Sequence, residues 1–86
     1  MKVVEIRSLA RKETGLFYRR EFSGTAVLET RGQSGEYPLS FVIESRPIGA
    51  PDISVYLEAD PAWPLVPVVT SIKHLVREMD RDGKLP

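Results

Sequence analysis

Eighty-six residues are enough for one domain and too few for two, and a hydrophobic share of 42% is that of an ordinary globular chain. Twelve basic residues balance twelve acidic ones, which argues against the strongly basic class of nucleic-acid-binding domains. No cysteine is present, so disulfides, thiolate catalysis, zinc ribbons and iron–sulfur clusters are excluded.

The charges are unevenly spread. Residues 1–20 carry six basic side chains against two acidic ones, and residues 21–60 carry two against seven. Neighbouring strands that neutralise one another account for this; a bipolar surface that orients a partner is the sharper reading. The opening residues are charged too early and too evenly for a signal peptide. The nearly uncharged run 61–72 is too short to span a bilayer and carries three prolines. The expected location is cytoplasmic.

In chain order, residues 3–9 read as a strand with Val4 and Ile6 on one face and Glu5 and Arg7 on the other. A polar turn at 11–15 ends in Gly15, which can take the positive φ of a hairpin turn. Residues 16–22 predict a second strand, with Leu16, Tyr18, Arg20 and Phe22 on one face and Phe17, Arg19 and Glu21 on the other. Ser23-Gly24 reads as a break or a bulge. Residues 25–30 resume the alternation, and 31–36, with two glycines, read as a flexible hairpin loop.

Residues 37–46 carry the clearest strand signal, with Tyr37, Leu39, Phe41 and Ile43 facing inward and Val42 outward. This strand is expected to be central. A Pro/Gly turn leads to a short strand at 53–58, with Ile53, Val55 and Leu57 inward and Ser54, Tyr56 and Glu58 outward. Asp60-Pro61-Ala62-Trp63 resembles a capped single turn, with Trp63 as a lid over the sheet edge. The helix is expected to start between residues 67 and 71. Val68, Ile72, Leu75, Val76 and Met79 recur at spacings of three and four and form one apolar stripe. Gly83 fits the position just past the helix end, and Leu85 folds back.

The order strands-then-helix gives the fold class: α+β, a four- or five-stranded antiparallel β-meander with one C-terminal helix packed on one face, in a single small domain over 1–86.

No catalytic constellation can be named. His74 is the only histidine, and zinc needs three or four protein ligands. Its one neighbour of note is Glu78, four residues on, a spacing that equally suits an ordinary helix contact. Asp80, Asp82 and Gly83 are too few for a calcium loop. No glycine-rich phosphate loop follows any strand. Thr70 and Ser71 could hold a small anion if they opened the helix, and are otherwise simple caps. The expectation is a protein that is not an enzyme and uses no cofactor and no metal.

The best functional feature is the basic first hairpin. Arg7, Arg11, Lys12, Arg19 and Arg20 surround its turn, with Phe17 among them. Two functions compete. One is a protein-binding or self-associating module, suggested by a thin core, a free sheet edge and outward hydrophobes at Phe17, Val42 and Tyr56. Its partner is another protein or a second copy in a homodimer. The alternative is single-stranded nucleic-acid binding, with the hairpin's cations on phosphates and its aromatics on bases.

Overall fold

The computed structural model describes residues 2–30, 32–58 and 65–86. Four strands run β1 (Lys2–Lys12), β2 (Arg19–Thr30), β3 (Gln33–Glu44) and β4 (Asp52–Leu57), followed by the helix α1 (Leu65–Arg81). The sheet is an antiparallel meander in the order β1-β2-β3-β4, with α1 packed on one face. Strands β2 and β3 each have 12 residues, or roughly 40 Å of extended chain. That length sets the long dimension of the molecule, 41 Å. Helix α1, with 17 residues, spans only about 25 Å of it.

The helix-facing side of the sheet is the core. Phe22 and Phe41 are cross-strand partners, and their rings stack at 5.0 Å with 17° between planes. Ala26, Leu28, Leu39 and Ile43 surround them, and Val68, Ile72 and Val76 of α1 close over the top, all buried. Leu75, Met79 and Leu85 pack at the margin. The apolar stripe of the helix thus meets the inward residues of the strands as the 3.6-residue and 2-residue periods require. At the helix end the Lys84 amide donates to the Met79 carbonyl at 2.8 Å and the Gly83 amide to Asp80 at 3.2 Å. Gly83 takes φ 69°. This is a Schellman cap, which needs a left-handed residue at that position.

Several expectations are corrected. Residues 16–22 and 25–30 do not form two strands. Ser23 and Gly24 lie in register inside one continuous β2, and the strand begins only at Arg19. The irregularities fall instead on β1, where the pairing shifts between Val3 and Glu5 and again between Arg7 and Ala10. The first shift turns Val4 outward, 44% exposed, and leaves Val3 and Ile6 facing the core. At the second, Ser8 takes φ 55°. Gly24 lies beneath this bulge: a Cβ there would stand 3.2 Å from the Arg7 carbonyl oxygen, from Ile6 Cγ2 and from Leu9 Cδ2. The glycine therefore serves the neighbouring strand.

The expected loop 31–36 contracts, since Thr30 pairs with Gln33 and the ladder runs from there without a shift. The helix starts earlier than expected. Pro67 is its third residue, still in the first turn where an N–H has no intrahelical partner. Thr70 and Ser71 consequently lie inside the helix and not at its opening. Val42, expected on the exposed face, is only 8% exposed. It sits between Glu21 and Ser54 as their cross-strand partner. The readings of residues 60–63, including the Trp63 lid, lie outside the described residues. Among the described residues no helix is long and apolar enough to cross a membrane.

Candidate functional site

A meander places the β1–β2 and β3–β4 connections at the same end of the sheet. The Ser45 amide donates to the Tyr18 carbonyl at 2.7 Å and joins them. The β1–β2 connection is held from within. The Leu16 amide donates to Thr14 Oγ1 at 3.2 Å, and that hydroxyl donates to the Arg19 carbonyl at 3.1 Å. Gly15 takes φ 73°, as its turn position led us to expect. The bend carries Phe17 out of any strand pattern and leaves it 99% exposed, with Tyr18 at 50% and Leu16 at 43% beside it. Ile48 of the adjacent connection is also exposed.

The six residues singled out from the sequence do not form one cluster. Arg7 stands at the far end of β1 and bonds Glu36 across β2, with Glu5 at 3.9 Å. Arg20 lies on the helix side and holds Asp80 through two hydrogen bonds at 2.8 and 3.2 Å. Arg11, Lys12, Phe17 and Arg19 do come together. All four line a shallow hollow of about 220 Å³ against the β1–β2 turn. Arg19 lies within 3.6 Å of Glu21 and 3.7 Å of Glu44. Among the described residues Arg11 and Lys12 have no ion-pair partner.

A larger hollow, about 440 Å³, lies on the sheet face opposite the helix. Its floor follows from register. Ala10 pairs with Ser23, Ser23 with Ser40, and Ser40 with Tyr56, so one row of small side chains crosses β1, β2 and β3 and ends against a tyrosine on β4. Tyr56 is 58% exposed. Arg11, Lys12, Arg19 and Glu21 line the hollow at its β1–β2 side. Reading the sequence strand by strand did not join these residues. The alternation put Tyr56 outward, but only the pairing sets it in line with Ser40 and Ser23.

The two edges of the sheet differ. β1 carries two register shifts, a left-handed Ser8 and the charges Glu5, Arg7, Arg11 and Lys12. β4 pairs with β3 without a shift from Asp52 to Leu57, and has no charge between its first residue and its end. The Glu58 amide donates to the Pro38 carbonyl at 3.1 Å. By the alternation of an antiparallel ladder, Tyr56, Ser54 and Asp52 bond to β3, and the N–H and C=O groups of Ile53, Val55 and Leu57 face away from the sheet. In the adjoining connection Asp52 accepts a 2.8 Å hydrogen bond from Arg46 Nε, which raises the Arg46 pKa above its ordinary value, through the hydrogen bond first and the carboxylate charge second.

His74 stands exposed on α1. Among the described residues no group of histidine, aspartate and glutamate is placed to hold a metal ion. No curated protein and no solved structure matches the chain. Residues 1–81 match the model of the BB_0187 family. With all but the last five residues inside that match, the chain belongs to this family.

Proposed function

We propose that the protein is a non-enzymatic interaction module that self-associates by pairing β4 with β4 of a second copy. The observation that carries this reading is the contrast between the edges. β1 has the bulges and charges that keep a strand edge from pairing, and β4 has neither. A two-fold antiparallel pairing centred on Val55 sets Ile53 opposite Leu57 on the helix side and Ser54 opposite Tyr56 on the other. Apolar then meets apolar, and polar meets polar. The acidic residues at the ends, Asp52 and Glu58, fall outside this apolar centre, and Asp52 is already paired with Arg46. Six outward-facing backbone groups gain partners, and a chain too short for a thick core gains apolar contact.

Single-stranded nucleic-acid binding by the first hairpin has less support. Three of its five cations, Arg7, Arg19 and Arg20, already lie against carboxylates of this chain.

Sedimentation over a wide range of protein concentration tests the proposal. The expected result is a concentration-dependent dimer that Val55→Pro converts to monomer. Proline at 55 removes an N–H that faces away from β3, so the β3–β4 ladder is kept. A species that stays monomeric at the highest concentration, or a dimer unaffected by Val55→Pro and by Ser54→Lys, overturns the reading.

A further inference from the structure

We propose that the hollow on the uncovered sheet face binds a flat ring joined to a phosphate, the chemistry shared by a free nucleotide and a single nucleic-acid strand. Three features carry this. The first is charge: Arg11, Lys12 and Arg19 face the hollow against one carboxylate, Glu21, which lies 3.6 Å from Arg19. That leaves a surplus of two positive charges, and Arg11 and Lys12, without ion-pair partners among the described residues, are the cations able to take a phosphate. The second is the ring at the opposite end. Tyr56 is held by the β3–β4 ladder on the same face, more than half exposed, and offers a surface on which a base can stack.

The third is the floor between them. Ala10, Ser23 and Ser40 are all small, so a ligand lies down across the strands, and the two serines present hydroxyl groups to whatever links ring to phosphate. From β1 to β4 the row crosses three strand spacings, roughly 14 Å. A nucleotide laid across it puts its base on Tyr56 and its phosphate beside Lys12. The volume, about 440 Å³, falls in the range of small-ligand pockets. Tyr56 projects from the sheet face and not along the edge, so this proposal does not depend on how β4 pairs.

The test is a titration of the full chain followed by amide NMR, using a nucleoside monophosphate, the matching nucleoside, inorganic phosphate and a single-stranded octanucleotide. The nucleoside monophosphate is expected to shift the amides of Ser23, Ser40 and Tyr56 at lower concentration than the nucleoside or phosphate alone. Lys12→Ala is expected to weaken nucleotide binding roughly tenfold. Tyr56→Leu is expected to weaken it to a similar degree, roughly tenfold, and to leave phosphate binding unchanged. Tighter binding of the octanucleotide, with a steeper salt dependence, identifies the source as a strand; binding no tighter than the monophosphate identifies a free nucleotide. Absence of shifts at these three amides with every probe, or shifts that survive both substitutions, overturns the proposal. The spectra of the two variants report directly whether each remains folded.

Discussion

The Arg20 guanidinium, at the start of β2, bonds both carboxylate oxygens of Asp80, sixty residues later in the last turn of α1. Both side chains are about three-quarters covered. The pair therefore fixes the C-terminal end of the helix to the sheet where its apolar stripe runs out. Parallel two-point bonding of a guanidinium to a carboxylate is stronger and more directional than a single ion contact. Asp80→Ala and Arg20→Ala are each expected to destabilise the fold by about 1–2 kcal/mol. In denaturant unfolding the double variant should lose clearly less than the sum, because the two residues act on one contact. Strict additivity would mean that the pair contributes nothing.

This contact also shows where strand-by-strand reading stops. Alternation correctly placed Arg20 on the same face as Phe22, and the helix stripe correctly named Val68, Ile72 and Val76. Neither pattern says that α1 ends over Arg20, so the arginine looked like part of a basic surface. The same limit explains β1. Val4 and Ile6 have the spacing of a regular strand, but two extra residues in β1 relative to β2 break the parity, and no side-chain pattern in β1 alone reports that. The opposing glycine was visible, yet it read as a fault in its own strand. The face hollow is a product of register among four strands, which sequence cannot fix while strand order is open.

Gly24 and Ser8 answer to one another across β1 and β2. An added Cβ at Gly24 meets a backbone oxygen as well as two core side chains, all at 3.2 Å. The backbone cannot yield as a side-chain tip does. Gly24→Ala is expected to lower stability by about 1–2 kcal/mol in chemical unfolding, the scale of mild overpacking. An unchanged midpoint would show that the bulge shifts freely.

Ser8 carries the complementary strain, with its left-handed φ of 55°. Ser8→Gly removes that strain and is expected to raise stability by about 0.5 kcal/mol, after the greater freedom of glycine in the unfolded chain is counted. Ser8→Val, branched at Cβ, is expected to lower it by about 1–2 kcal/mol. The order Gly, Ser, Val in thermal midpoint checks this. Valine equal to or above serine would mean that the bulge relocates.

Phe17 and Phe41 test the division between interaction surface and core. Both are phenylalanines in a small protein, but Phe41 is fully buried against Phe22 and Phe17 is 99% exposed. Deleting the buried ring should cost about 3–5 kcal/mol and leave the chain near or below its folding threshold. Phe17→Ser removes almost no contact, since Thr14 and not the ring holds the turn. Its effect on stability should stay within about 0.5 kcal/mol. A larger loss in monomeric protein would show that the ring packs in solution. A loss that appears only as protein concentration rises would place Phe17 within the contact between copies, away from β4. The paired measurement, unfolding at low and at high concentration, therefore separates a surface residue from an interface residue and discriminates the β4 edge from the β1–β2 tip as the site of self-association.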